Sequence, residues 1–124
     1  MTRTAKRLDD AVRAFHRRRI IPSFRALILD GPLIKRNTGA GTLQRSALVA
    51  LGTREAGSKE VIDFHLAKSE SGPEWRTFLT DLINRGLTSC EVICADGGQG
   101  LTSILPEVYP HIPLQRCWAH KIRN

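Results

Sequence analysis

The feature that most constrains the fold is an amphipathic helix with clear start and stop signals. Ser71-Gly72-Pro73-Glu74 has the form of a capping box, in which Ser71 accepts a hydrogen bond from the amide of Glu74. Apolar residues then recur at helical spacing, at Trp75, Phe78, Leu79, Leu82 and Ile83. Gly86 stands where a C-cap glycine is expected. The pattern predicts a helix that buries Trp75 and Phe78 in the core.

Short apolar strands are predicted on both sides of this helix. Two of them end in Asp-Gly: Ala26 to Gly31 and Glu91 to Gly97. Between the first strand and the helix, Leu43 to Leu51 and Glu60 to Leu66 are rich in strand formers and are bounded by glycine turns. After the second Asp-Gly come a weaker helix, Leu101 to Tyr109, which Pro106 is expected to interrupt, a short strand from Ile112 to Gln115, and the start of another helix at 116–124.

These elements predict an α/β fold with the order βββαβαβ. A strand, helix, strand crossover is right-handed and makes the later strand parallel to its partner, so the expected mixed sheet has the strand order 3-2-1-4-5. A short basic helix, with apolar residues at Leu8, Ala11, Val12 and Phe15, precedes the sheet. We expect residues 1–24 to form this helix and a linker, and residues 25–124 to form the core.

Positive charge is concentrated at the start of the chain. Residues 1–25 hold eight Lys and Arg against two Asp, 8 − 2 = +6, whereas residues 26–124 hold eleven against ten acids, 11 − 10 = +1. Such a distribution favours a polyanion partner, although a solvated basic helix has the same composition. The residues predicted to contact DNA are Arg13, Arg17, Arg18, Arg19, Lys121 and Arg123.

The two Asp-Gly motifs predict a metal site. If strands 1 and 4 are adjacent and parallel, Asp30 and Asp96 meet at the carboxyl edge of the sheet, where open α/β sheets bind ligands. Adjacent carboxylates repel unless a cation lies between them, and their hard oxygens suit Mg²⁺ or Mn²⁺. Ions of this kind support hydrolysis or strand transfer of phosphodiesters. A single Asp-Gly after a strand is also ordinary turn chemistry.

The cysteines offer a rival metal site, Cys90 and Cys94 with Cys117 and His120. In a strand, however, positions 90 and 94 are about 13 Å apart, at about 3.3 Å per residue, too far to share one Zn²⁺. Three cysteines without a dense framework fit a reducing compartment. No apolar run is long enough to span a membrane, and the start of the chain has no signal-peptide pattern, so a soluble cytoplasmic protein without a disulfide is expected.

With these residues in place, the sequence resembles the catalytic region of the Mutator-type bacterial insertion-sequence transposases. The matching stretches are Leu27 to Gly31, Ala50 to Gly52, Gly57 to Val61, Ser69-Glu70-Ser71 with the helix as far as Leu87, Asp96 to Leu101, and Gln115 to Asn124. The last of these contains the family's Cys-x2-His signature as Cys117 and His120. The resemblance covers nearly everything after Leu8.

The resemblance implies a ribonuclease-H-like fold and DDE chemistry with Mg²⁺ or Mn²⁺ on transposon-end DNA, in an oligomer. Asp30 would be the first catalytic carboxylate and metal ligand and Asp96 the second. The third, a Glu far downstream in the family, has no counterpart, because residues 108–124 contain no acid. Glu74 and Asp81 are unsuitable substitutes, since a capping box and a solvated helix face account for them.

Three functional hypotheses follow from the sequence. The first is a partial transposase core, truncated at both ends relative to the family and inactive alone because the third carboxylate is missing. The second is a non-catalytic DNA-binding or assembly module that modulates a full-length transposase. The third is a compact nuclease for RNA–DNA hybrids, which needs a third acid that the sequence does not offer. Whether the chain is itself an enzyme is left open.

Overall fold

The computed structural model describes residues 2–21, 23–55, 57–95 and 99–116. In this part of the chain there are three helices and six strands. Their order and bounds are α1 Arg3–Arg17, β1 Ala26–Asp30, β2 Leu33–Thr38, β3 Gly41–Thr53, β4 Lys59–Ala67, α2 Gly72–Asn84, β5 Val92–Ala95, α3 Gln99–Val108 and β6 Leu114–Arg116.

Helix α2 confirms the predicted central helix. Ser71 is its N-cap and accepts a hydrogen bond from the Glu74 amide at 3.4 Å. The Glu74 carboxylate lies 3.7 Å from Nε2 of His65. The helix buries Trp75, Phe78, Leu79 and Leu82, and complete burial of a large apolar side chain contributes about 1.5–3 kcal/mol.

Gly86 follows the C-cap of α2, Arg85, where the sequence predicted a glycine that ends the helix. Its φ of +128° is one that side chains with a Cβ rarely adopt. A Cβ atom here would also lie 2.0 Å from the carbonyl oxygen of Ile20. Glycine therefore allows the segment after α1 to pass directly over the end of α2.

The sheet is mixed, as predicted. β1 pairs antiparallel with β3 and parallel with β5, and β5 pairs parallel with β6. β4 pairs with β3. The pairings expected from the sequence are all present, with β1, β3, β4, β5 and β6 as the five predicted strands.

β2 is a sixth strand that the sequence pattern did not predict. It follows β1 after Gly31 and Pro32 and pairs antiparallel with the first part of β3, through six register pairs from Leu33↔Ser46 to Thr38↔Gly41. All its residues are exposed. Because it buries no face, its sequence lacks the apolar alternation by which strands are recognised.

A β-bulge shifts the register of β4. Ala50 pairs with Asp63 but Leu51 pairs with Val61, which leaves Ile62 as the additional residue. Both Ile62 and Asp63 are buried, whereas Val61, Phe64 and Leu66 are exposed. The alternation of buried and exposed side chains that a regular strand shows is therefore broken at the centre of β4.

The core joins the sheet to α2 and α3. Its largest fully buried side chains are Trp75, Leu27, Leu29, Leu48, Ile62, Leu79, Leu82, Leu87, Ile93 and Leu101. Pro106 lies inside α3 without ending it. Within the described ranges, no helix is long and apolar enough to cross a membrane.

Candidate metal centre

Asp30 is the last residue of β1, and its side chain is half-buried at the edge of the sheet. Its Oδ1 accepts a hydrogen bond from the Gly31 amide at 2.9 Å. Among the described residues it has no other hydrogen-bond or ion-pair partner. The remaining lone pairs of this carboxylate are thus available to a ligand.

The register of β1 with β5 supports the expected pairing of two acids. Leu29 is the parallel partner of Ala95, and these are the residues that precede Asp30 and Asp96 in the sequence. Asp96 itself lies outside the described residues. The described strands therefore establish the parallel alignment that the metal-site prediction requires, up to the residue before each acid.

Glu70 is a second carboxylate at this edge. It follows β4, and its carboxyl group lies directly against Gly31: a Cβ atom at position 31 would lie 2.7 Å from Cδ of Glu70 and 2.9 Å from each carboxylate oxygen. The buried indole of Trp75 donates a hydrogen bond from Nε1 to Oε1 of Glu70, at 3.2 Å. Gly31 and Trp75 together fix the Glu70 carboxylate beside the residue that follows Asp30.

The chemistry of these donors fits a hard divalent cation. Asp30 and Glu70 offer carboxylate oxygens, which Mg²⁺ and Mn²⁺ prefer, together with water, to nitrogen or sulfur ligands. The described residues contain no group of three or more His, Cys, Asp or Glu that could hold a metal ion. A complete centre therefore requires at least one donor beyond the two described here.

The cysteines do not form the rival site within the described residues. Cys90 lies in the loop before β5 and Cys94 lies in β5, and both are half-buried. Burial raises the pKa of the Cys90 thiol to about 11, which disfavours the thiolate that a metal would bind. Cys117 and His120, the predicted family signature, lie outside the described residues.

A separate polar cluster fastens α1 to the core. Asp63 of β4 is 3% exposed and accepts hydrogen bonds from Nδ1 of His16, at 2.6 Å, and from Nη1 of Arg85, at 2.5 Å. Arg85 also donates to the carbonyls of Phe15 and Arg18. We call Asp63, His16 and Arg85 the clamp. Through it, the end of the basic helix is held against β4 and α2.

The arginines predicted to contact DNA differ in their surroundings. Arg13, Arg17 and Arg19 are exposed. Arg18 stacks on the ring of Phe15, with Cζ 4.0 Å from its centroid, and donates to the carbonyls of Phe15 and Val61. Lys121 and Arg123 lie outside the described residues. DNA contact stays a prediction for all six basic residues. Arg18 also contacts Phe15 and Val61 within the fold.

Known proteins of similar fold and sequence define the family to which this chain belongs. The fold is similar to the catalytic core domain of HTLV-2 integrase, solved in complex with magnesium in a trimeric form, with a TM-score of 0.50, 17% sequence identity, and coverage of 86% of this chain and 68% of that one. This likeness confirms the ribonuclease-H-like mixed α/β fold. The sequence profile of the Mutator family of transposases matches residues 1–124, and the chain belongs to that family.

Curated relatives at 29–34% identity are transposases of insertion sequences. The transposase for element ISRM5 of Rhizobium meliloti is 34% identical over 119 residues, which are 96% of this chain and 30% of the relative. The transposase for element IS1201 of Lactobacillus helveticus is 32% identical over 121 residues, 97% of this chain and 32% of the relative. The chain thus spans about a third of the length of these relatives.

Proposed function

We propose that this chain contributes part of a DDE-type catalytic core that cleaves DNA and transfers strands at the ends of an insertion sequence. The observation that carries the proposal is the parallel pairing of β1 with β5, in which Leu29 and Ala95 are partners and each is followed by Asp. Family membership supplies the reaction class.

The proposed cofactor is Mg²⁺ or Mn²⁺. The integrase core of similar fold was solved with magnesium, and the oxygen donors of Asp30 and Glu70 suit the same ion. Asp30 and Asp96 would hold it. Such an ion, when bound, activates water or a 3′-hydroxyl as a nucleophile and stabilises charge on the phosphodiester.

Glu70 has two roles in this proposal. Its carboxylate adds negative charge beside Asp30, which strengthens the preference of this edge for a cation. Its hydrogen bond from Trp75 fixes the carboxyl group against Gly31, so the strand end that carries Asp30 is supported from one side. Both roles depend on side chains that the fold positions at this edge of the sheet.

We also propose that these 124 residues do not cut DNA when assayed alone. The third carboxylate that the family resemblance implies is a downstream Glu, and it is not among them. In a full-length transposase of the family, such a core would act as an oligomer on the transposon ends. The sequence of the chain thus provides the fold and two of the three expected acids.

A second candidate is a DNA-binding or assembly module that modulates a full-length transposase. The specific observation in its favour is α1, whose Arg13 and Arg17 are exposed while its C-terminal end is anchored by the clamp. A basic helix fixed to a folded core can bind DNA phosphates without any catalysis.

A chimera tests the catalytic proposal. Residues 1–124 would replace the matching segment of the ISRM5 transposase, and excision of a marked element would be measured in cells. We expect excision that is lost in Asp30→Asn and Asp96→Asn chimeras and retained in a Glu107→Gln chimera, because Glu107 is an exposed acid of α3 paired with Arg76. A chimera with a native circular-dichroism spectrum that excises equally well without Asp30 would contradict the proposal.

A further inference from the structure

β2 and the first part of β3, up to Ser46, form a two-stranded ribbon whose side chains lie outside the hydrophobic core. We define the ribbon as residues 33–46. β4 pairs with β3 only from Ser46 onward, and residues 33–44 are exposed on both faces. An exposed two-stranded hairpin contributes little stability of its own, so packing does not account for the choice of its side chains.

The ribbon is the basic part of the core. It contains Lys35, Arg36 and Arg45 and no acid, 3 − 0 = +3. The other residues of 26–124 hold eight Lys and Arg against ten acids, 8 − 10 = −2. The positive charge of the core is therefore located on a protruding element, and this concentration favours a polyanion as its partner.

The ribbon cations differ from four arginines of the core in having no carboxylate partner among the described residues, a property that they share with the exposed Lys59 and Lys68. Arg25, Arg54, Arg76 and Arg85 all form ion pairs, with Glu91, Glu60, Glu107, and Asp63 and Asp81 respectively. Within the described ranges, Lys35, Arg36 and Arg45 form none. No described carboxylate neutralises their charge.

The register distributes these groups over both faces of the ribbon. Ile34↔Arg45 and Arg36↔Leu43 share one face, while Lys35↔Gln44 and Asn37↔Thr42 share the other. The second face thus has a cation together with neutral amide and hydroxyl groups, a set that hydrogen-bonds DNA phosphates and base edges. A two-stranded ribbon also has the width that the major groove of DNA accepts.

The ribbon begins beside the carboxylates. Asp30 ends β1, Gly31 and Pro32 follow, and the Pro32 carbonyl accepts a hydrogen bond from the Ala47 amide at 2.9 Å, at the base of the ribbon. Six residues of strand extend about 20 Å, at about 3.3 Å per residue. That length corresponds to about six base pairs of duplex, at about 3.4 Å per pair.

We propose that the β2–β3 ribbon binds duplex DNA next to the cleavage site, with Lys35, Arg36 and Arg45 on its phosphates. This inference rests on the proposed function for the identity of the polyanion. It places the ribbon on the DNA that flanks the phosphodiester to be cleaved at the Asp30 site. These contacts would add to the DNA contacts predicted for the basic helix.

The test compares two triple variants of the 124-residue chain that remove the same charge. The ribbon variant is Lys35→Gln, Arg36→Gln, Arg45→Gln, and its matched control is Lys59→Gln, Lys68→Gln, Arg76→Gln, at exposed positions of β4, the loop after it, and α2. Binding to a fluorescent 30-base-pair duplex would be measured by anisotropy between 50 and 200 mM salt.

We expect the ribbon variant to bind roughly tenfold more weakly or worse, with a salt slope reduced by about 2–3, since each phosphate contact contributes about 0.9. The control should change by less than about threefold at the same salt. Equal losses in the two variants would overturn the proposal. A ribbon variant that binds DNA normally but loses self-association in light scattering would overturn it too, in favour of a protein contact.

An Asp30→Asn chain distinguishes this proposal from the proposed function. Without added divalent metal ion it should lose no DNA affinity, because Asp30 is not on the ribbon and its proposed role is to hold the metal ion. If the ribbon variant loses DNA binding while Asp30→Asn has no effect on Mn²⁺ binding, the ribbon inference stands and the catalytic proposal fails. If the ribbon variant binds DNA normally while Asp30→Asn weakens Mn²⁺ binding, only the proposal for the ribbon is rejected.

Discussion

Asp30 and Asp63 are two aspartates of one sheet with opposite surroundings. Asp63 is 3% exposed, and its oxygens accept hydrogen bonds from His16, Arg85 and the amide of Phe64. Asp30 is half-buried at a strand end and, among the described residues, accepts one hydrogen bond, from the amide of Gly31. The first carboxylate is saturated by the fold, whereas the second retains free acceptor positions.

The difference separates a structural acid from a candidate functional one. A buried carboxylate without partners would be strongly destabilising, so its partners are part of the folding free energy. A carboxylate at a sheet edge can keep lone pairs for a ligand, because water solvates the carboxylate until the ligand binds. The two sites should therefore respond in opposite ways to the same chemical change.

Removal of the Asp63 charge should have the largest effect on stability. Asp63→Asn leaves Arg85, whose side chain is 10% exposed, with its buried partner neutralised, and we expect a loss of about 3 kcal/mol in the free energy of unfolding. Urea denaturation followed by circular dichroism measures it. The matched control is Asp81→Asn, because Asp81 pairs with the same Arg85 but is 56% exposed, and it should cost less than about 1 kcal/mol. Equal losses would contradict the distinction between the buried and exposed partners.

Gly31→Ala should have an intermediate effect, confined to the Asp30 edge. The new Cβ would displace the Glu70 carboxylate from its hydrogen bond with Trp75, at a cost of about 1 kcal/mol. Gly39→Ala is the control, because no atom lies within 4 Å of a Cβ at that position. Thermal and urea unfolding of both variants would measure the difference. If Gly39→Ala is as destabilising as Gly31→Ala, the close approach of Glu70 is not the cause.

The half-buried thiol of Cys90 should have the smallest effect on stability. Burial raises the pKa of Cys90 to about 11, so its contribution to stability is complete below the pKa of the unfolded thiol, about 8.5, and is lost as the pH rises through that of the folded state. Between pH 7 and pH 9 the loss should stay below about 1 kcal/mol, since the thiol is only partly buried.

Urea unfolding at these two pH values, with Cys90→Ala as the comparison, measures the pH effect. The variant should show a smaller decline in stability with pH than the unmodified chain. An identical decline in both would exclude Cys90 as its source.

Local signals in the sequence were sufficient for much of the sheet and for α2. Apolar strands that end at Asp30 and before Asp96, the cap at Ser71 and the glycine at 86 each act within a few residues, so a pattern can reveal them. The basic helix extends beyond the apolar residues Leu8 to Phe15 that indicated it and begins at Arg3, where Thr2 caps it by accepting a hydrogen bond from the Ala5 amide.

The missed features depend on contacts between distant parts of the chain. β2 exists because β3 extends past the core and offers it a partner, and no periodicity of its own indicates it. Glu70 reaches Gly31 because the loop after β4 passes the end of β1. The one available signal for Glu70 was its place in the matching stretch Ser69-Glu70-Ser71. The clamp likewise joins residues 16, 63 and 85, and the bulge at Ile62 that accompanies the burial of Asp63 has no sequence signature.

We infer that the Asp30 carboxylate keeps acceptor positions available for a metal ion, and a Mn²⁺ titration measures this property. Binding to the 124-residue chain would be followed by electron paramagnetic resonance of free Mn²⁺, for the unmodified chain, Asp30→Asn and Glu107→Gln. We predict at least roughly tenfold weaker binding for Asp30→Asn, with an unfolding free energy within about 0.5 kcal/mol of the unmodified chain, and no change in binding for Glu107→Gln. Unchanged Mn²⁺ affinity in Asp30→Asn, or a loss of stability as large as that of Asp63→Asn, would contradict a role for Asp30 as a metal ligand.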